Sequence, residues 1–293
     1  MQELVLGTEA IATGALTRND LRRRYVKLHR NVYVHEDVEL TARHRAEAAW
    51  LWSGRDAVLV GTSAAALLGT RWLPADGPAE VARSRFTAAT GIVVRSGVLA
   101  DDEVCSVGDL ACTTPARTAY DIGRYMRPDA SIIRLDALLN ATRCAVGDVE
   151  AIAARHPGAR GVRRLRAVLE QVDGGAESPQ ETRLRLLLRR AGLPRPVTQI
   201  PVADEWGRIV RRIDMGWPQW HVGVEYDGEQ HWDPVGHAAD IDRLEFLAAR
   251  RWRIVRVSAR HLRYGSADVV RRARDALLSR GWSPRLQKMT ETG

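Results

Sequence analysis

Lysine is almost absent from this chain of 293 residues: among its 44 basic residues only Lys27 and Lys288 are lysines, and arginine supplies the rest. The bias is compositional, and it excludes any lysine acting near the middle of the C-terminal half. Cysteine is scarce as well. Cys105, Cys112 and Cys144 are odd in number and lack CxxC spacing. That excludes a disulfide framework and a cysteine zinc site, and leaves them as small apolar side chains of a reducing compartment. Long hydrophobic runs are missing too. Residues 57–69, the most apolar stretch, are too short and too rich in Gly, Ser and Thr to cross a bilayer. Met1-Gln2-Glu3-Leu4 shows no basic segment ahead of an apolar core, so no secretory leader is visible and a cytoplasmic protein without membrane contact is expected. Residues 56–172 contain no P-loop, nucleophile triad or metal-ligand spacing.

What is present is positive charge. The net charge is +8 and the isoelectric point is near 10.0, which favours an anionic partner. The excess is uneven. Arg183, Arg185, Arg189 and Arg190 crowd one segment, Arg208, Arg211 and Arg212 another, and six arginines follow between 250 and 263.

Arg208–Asp214 and His221–Gly228 read as β-strands, joined by a turn at Met215-Gly216-Trp217-Pro218. Side chains two apart share a strand face, so Asp214 lies with Arg212 and Glu225 with Asp227, while Val222 and Val224 pack on the other side. Carboxylates gathered at neighbouring strand ends repel one another and are costly to bury. Mg²⁺ or Mn²⁺ would relieve this, because carboxylate oxygens suit hard cations. Solvation or pairing with arginines would relieve it equally. Ahead of the strands, Ser178-Pro179-Gln180-Glu181 opens a helix to about Arg190 with Leu184, Leu187 and Leu188 as its apolar stripe. Glu181 leans toward that packed side, where it would serve a metal site. It also completes a capping box with Ser178 and lies at pairing distance from Arg185. Residues 196–202 form a first strand, 238–250 a helix with Ile241, Leu244, Leu247 and Ala248 inward, 252–257 a strand and 267–279 a last helix.

This order, with the phrases Glu177-Ser178-Pro179-Gln180-Glu181, Asp214-Met215-Gly216-Trp217-Pro218, Val224-Glu225-Tyr226-Asp227-Gly228-Glu229-Gln230-His231 and Asp240-Ile241-Asp242-Arg243, resembles the PD-(D/E)XK nuclease superfamily over residues 177–282, and within it the very-short-patch-repair-like branch. The resemblance implies a restriction-endonuclease-like αβββαβ core with a mixed sheet. It implies that Asp214 and Glu225 bind Mg²⁺ or Mn²⁺ with Glu181 supporting them, and that His231 and Asp240 line the site. Arg243 would orient a carboxylate or grip phosphate, with Arg185, Arg212 and Gln230 around it. The superfamily's lysine falls two residues after the second acid, where this chain has Asp227, and His231 or Gln230 would have to replace it.

The first half is plainer. Thr17-Arg18-Asn19-Asp20 caps a short helix to Tyr25, and Val26–Val34 alternates like a strand, an arrangement that looks like a reduced winged helix. It resembles the start of AbiEi-type antitoxins, which bind DNA as regulators. Helices over 41–53 and 62–68, short strands between 78 and 112, and a helical section from 113 to 172 extend that likeness. Arg117 and Asp121 stand at helical spacing and are expected to pair with each other. The expected division is 1–55 as a DNA-binding or docking module, 56–172 as an α+β middle domain, 173–177 as linker, 178–282 as the α/β nuclease-like domain and 283–293 as tail. The function expected is a metal-dependent DNA endonuclease, with RNA left open as substrate. The alternative is a DNA-binding regulator of the antitoxin type with a silent nuclease fold. A homodimer or a toxin-like protein would be its partner.

Overall fold

A computed structural model describes residues 3–83, 89–228 and 243–284. The chain forms two compact units, Met1–Gly174 and Gly175–Gly293, and the architecture of each is mixed α/β.

The first unit begins with β1 (Leu4–Leu6), α1 (Gly7–Ala12), α2 (Arg18–Arg24), β2 (Tyr25–His29) and β3 (Val32–His35). These strands make an antiparallel sheet in the order β1-β3-β2. The single strand expected over 26–34 is therefore a hairpin turning at Arg30-Asn31. Asn31 adopts a left-handed φ of 65°, which asparagine tolerates better than most residues. Its amide clasps Thr8, accepting from the backbone N–H at 2.9 Å and donating to the hydroxyl at 2.8 Å. That long-range contact has no local signature in sequence.

Next comes α3 (Ala42–Trp52), whose N-cap Thr41 accepts from the His44 N–H at 3.2 Å. Then follow β4 (Val58–Leu59), α4 (Gly61–Leu67), β5 (Ala79–Ala82), β6 (Ile92–Arg95), β7 (Val104–Val107) and β8 (Leu110–Thr113). They build a mixed sheet ordered β6-β5-β4-β8-β7. Ala46, Ala49, Leu59, Leu67, Val81 and Cys112 form the core between that sheet and α3 and α4. The helical section resolves into α5 (Pro115–Tyr125), α6 (Pro128–Thr142), α7 (Val146–Arg155) and α8 (Val162–Leu169). Pro115 and Pro128 each start a helix, where a missing N–H costs nothing. Arg117 and Asp121 do pair, Nε to Oδ2 at 2.9 Å, and both are buried.

The second unit opens with α9 (Pro179–Arg190), followed by β9 (Val197–Ala203), β10 (Ile209–Trp217), β11 (Val222–Asp227), helical residues 243–249 (α10), β12 (Arg253–Ser258), α11 (Ala259–Tyr264) and α12 (Ser266–Leu278). The sheet runs β12-β11-β10-β9, with β11 parallel to β12 and the other pairings antiparallel. Met215, Trp217, Val222, Val224, Val255 and Val257 form the main core with Leu184 and Leu188 of α9 and Val269, Ala273 and Leu277 of α12. Trp217 anchors it by donating Nε1–H to the Pro194 carbonyl at 2.9 Å. Ile200, Val202, Ile213 and Leu247 make a second, smaller core.

Two local readings change. The expected turn at 215–218 is strand through Trp217, and the connection is a 3₁₀ turn at Pro218–Trp220 with His221 left-handed. Gly216 belongs to the strand because β11 passes so close that a Cβ there would lie 2.3 Å from the Val222 carbonyl oxygen. In α10 Leu247 faces the core but Ala248 is exposed, while Ile241 lies outside the described residues. Among the described residues no helix is long and apolar enough to cross a membrane.

Candidate functional site

Asp214 and Glu225 face each other across β10 and β11, one register step beyond the Met215–Val224 pair. Gly223 lies two residues before Glu225 and makes room on that face, since a Cβ there would meet Ile213 and Ile254 side chains at 2.8 and 2.7 Å. Asp214 Oδ2 accepts the Tyr226 N–H at 2.7 Å. Glu225 Oε1 accepts from Arg243 Nη2 at 2.8 Å, and the same guanidinium donates to the Arg212 carbonyl at 3.2 Å. Burial pushes the Asp214 carboxyl above its ordinary range against the Tyr226 hydrogen bond and the Arg243 charge. Burial also raises Glu225, opposed by Arg243.

Glu181 joins this pair from α9. Its carboxylate accepts from the Ser178 hydroxyl at 2.8 Å, from the Glu177 N–H at 3.0 Å and from Gln199 Nε2 at 3.3 Å. Burial raises its pKa first, and the nearby Asp214 and Glu177 charges add to it. The cap contact with Ser178 and the nearness to Asp214 thus occur in one side chain. Gln199 was not singled out from sequence. Its left-handed φ of 51° sits in β9 between the paired steps Ile213–Ile200 and Met215–Thr198, opposite Asp214. A bulky residue held there is strained, and such strain clusters where a side chain must be aimed.

The other candidates divide. Asp227 is ion-paired with Arg256, a residue that sequence reading counted only among the basic run. Arg212 is exposed, 4.0 Å from Glu177. Arg185 is fully buried on the inward stripe of α9, beside Leu184 and Leu188, so direct contact with a phosphate is closed to it while support of the site from behind is not. Gln230, His231 and Asp240 lie outside the described residues.

Among the described residues no group of three or more His, Cys, Asp or Glu is placed to hold a metal ion. Asp214 and Glu225 alone fit a hard dication by donor chemistry, since each uses one oxygen for the Tyr226 and Arg243 bonds. Arg243 and Arg256 meanwhile supply positive charge to Glu225 and Asp227 without any ion.

The first unit carries its own candidate surface. Thr17 Oγ1 accepts from the Asp20 N–H at 3.1 Å and Asp20 Oδ2 from the Thr17 N–H at 2.9 Å, so a capping box nucleates α2. Only Leu21 of α2 is buried, which leaves Arg18, Asn19, Arg22, Arg23 and Arg24 exposed. Lys27 and Arg30 on the adjoining hairpin are exposed too.

Comparison with known proteins finds two relatives and one family model. Two uncharacterized proteins, from Mycobacterium tuberculosis strains CDC 1551 / Oshkosh and ATCC 25618 / H37Rv, are each 35% identical over 172 residues. That match covers 58% of this chain and spans 62% of the length of those relatives. No solved structure matches. The family model for the AbiEi antitoxin C-terminal domain matches residues 46–171, from within α3 to the end of the helical section, so that segment is antitoxin-like.

Proposed function

We propose that the protein is a DNA-binding regulator of the antitoxin type, with its N-terminal elements reading duplex DNA and a toxin-like protein as its partner. The observation that carries this reading is the antitoxin-like segment directly following a β1-α1-α2-β2-β3 module whose α2 exposes a row of arginines. The strand order β1-β3-β2 with two helices between the first two strands supports a winged helix without a leading helix. In such a module α2 would enter the major groove while Lys27 and Arg30 meet the backbone. In the C-terminal unit, Arg256 on Asp227 and Arg243 on Glu225 support a nuclease-like fold serving as a basic platform. The test is gel shift and anisotropy on the protein's own upstream DNA. Sequence-dependent binding that survives EDTA is expected, and it should weaken at least tenfold in Arg18→Gln/Arg22→Gln. Each lost phosphate contact should lower the salt slope by about 0.9. Binding unchanged in the double variant would sink the reading.

A second reading is favoured by one observation: Asp214 lies within electrostatic reach of both Glu225 and Glu181, and burial raises all three carboxyls. In a metal-dependent DNA endonuclease, Asp214 and Glu225 would hold Mg²⁺ or Mn²⁺, which supplies a water of lowered pKa and screens phosphate charge. Gln199 and Ser178 would orient Glu181, and Arg243 would fix Glu225. Plasmid nicking that requires Mg²⁺ or Mn²⁺ and vanishes in Asp214→Ala, with DNA binding intact, would establish this reading over the first.

A further inference from the structure

The hairpin of β9 and β10 carries a surface that, Arg212 apart, neither reading uses. Residues 209–213 of β10 pair with β9, and among the described residues β11 pairs with β10 only from Met215 onward. Among the described residues the hairpin end is thus a two-stranded ribbon. Ile200, Val202 and Ile213 are committed to the small core with Leu247. The remainder is uncovered: Trp206 at the tip is 70% exposed, Ile209 is 62% exposed, and Val210 is exposed as well. Arg208, Arg211 and Arg212, all exposed, interleave with them.

The tip is ordered by its own contacts. Asp204 Oδ1 accepts from the Trp206 and Arg208 N–H groups, both at 2.9 Å, and Asp204 N–H donates to the Arg208 carbonyl at 2.8 Å. The Arg208 guanidinium lies 5.1 Å over the Trp206 ring and 3.0 Å from Asp204 Oδ2. The indole is therefore held in place with one face backed by a cation.

An exposed aromatic ring beside a row of arginines matches what an unpaired nucleic-acid strand offers, a π-face from a base and regularly spaced phosphates. A protein partner for an apolar ribbon would not call for three arginines along it. A stacked duplex keeps its base faces covered. From Ile209 to Arg212 the strand spans about 10 Å, with Trp206 on the turn beyond it, which suits the short end of single-strand sites of roughly 4–16 nucleotides.

We infer that the β9–β10 ribbon docks single-stranded DNA, with one unstacked base on Trp206 and the backbone following the edge of β10, where Arg211 and Arg212 reach phosphates from opposite faces. Only the choice of DNA over RNA rests on the regulator reading.

The experiment is fluorescence anisotropy of the full chain with a labelled 12-nucleotide DNA strand, the same RNA strand and the duplex upstream DNA. Trp206→Ala should weaken single-strand binding roughly 5- to 100-fold, the range of one base–aromatic stack. Trp206→Phe should restore most of it. Arg211→Gln/Arg212→Gln should lower the salt slope by about 1.4 for the single strand. Arg18→Gln/Arg22→Gln should leave single-strand binding intact. The inference is overturned if Trp206→Ala binds like wild type, if Trp206→Phe is as weak as Ala with an unchanged melting temperature, or if the α2 variant removes single-strand binding too. Tighter binding to RNA by tenfold overturns the DNA assignment. If duplex recognition fails while the strand still binds through Trp206, the regulator reading falls and this one stands.

Discussion

Arg243 bridges Glu225 and the Arg212 carbonyl, at 2.8 and 3.2 Å, and so fastens α10 to both central strands of the C-terminal sheet. Glu225 is only 7% exposed, so it depends on that partner. Arg243→Met should cost about 2 kcal/mol at neutral pH, the lower end for breaking a buried pair because about a third of the guanidinium is exposed. Adding Glu225→Gln should recover most of the loss, as urea melts of the two single variants and the double variant would show. An additive double variant would mean the contact carries no coupling.

Asp214, Glu225 and Glu181 all have carboxyls raised by burial. A raised carboxyl holds its proton more tightly when folded, so its contribution to stability is full below the ordinary carboxylate pKa and is lost as pH rises through the raised value. Over that window the melting temperature of the C-terminal unit should fall. Asp214→Asn keeps an oxygen for the Tyr226 N–H and has no charge to bury. It should melt a few degrees above wild type at pH 7, with each kcal/mol moving the midpoint by about 2–4 °C, and the two should converge at low pH. A variant that melts lower at pH 7 would contradict the burial argument.

In the first unit, Asp121 accepts from Arg117 Nε and from Arg124 Nη2, both at 2.9 Å, and Glu103 accepts from Arg117 as well. All four side chains are buried. Asp121→Ala takes the carboxylate from Arg124 and leaves Arg117 with Glu103 alone, and should cost about 3 kcal/mol, read from urea unfolding of the full chain. A loss under 1 kcal/mol would show that water or rearrangement replaces the carboxylate.

Cys105 and Cys112 are register partners across β7 and β8, with sulfurs 3.7 Å apart. Burial pushes the Cys112 thiol up to about 12 and the Cys144 thiol to about 11. Since thiolates react and thiols do not, both should label with Ellman's reagent at least tenfold more slowly in the native protein than in urea. Equal rates, followed residue by residue with mass spectrometry, would refute the raised thiol pKa of the residue concerned.

The helices and strands that position the carboxylates could be read from residues 178 to 257 because period and caps are local properties: Ser178 with Pro179 starts α9, and Val222 and Val224 alternate with Gly223 and Glu225. Long-range geometry could not be read. The left-handed Gln199 that reaches Glu181, the closeness of β11 that requires Gly216, and the Arg256 partner of Asp227 each depend on a strand distant in sequence. β1 and α1 escaped notice because three- and six-residue elements give too few periods to count. The burial of Arg185 follows from its position on the leucine stripe, which its charge alone does not signal.

The Asp227–Arg256 pair has a further consequence for how this chain can change. Across the parallel β11–β12 register Arg256 stands beside Glu225, and its guanidinium reaches the Asp227 carboxylate. Installing a lysine at 227 would set two cations against each other on adjacent strands. Placing a lysine at that position therefore needs two exchanges made together, and either one alone passes through a less stable intermediate, so the pair acts as a ratchet holding the aspartate in place.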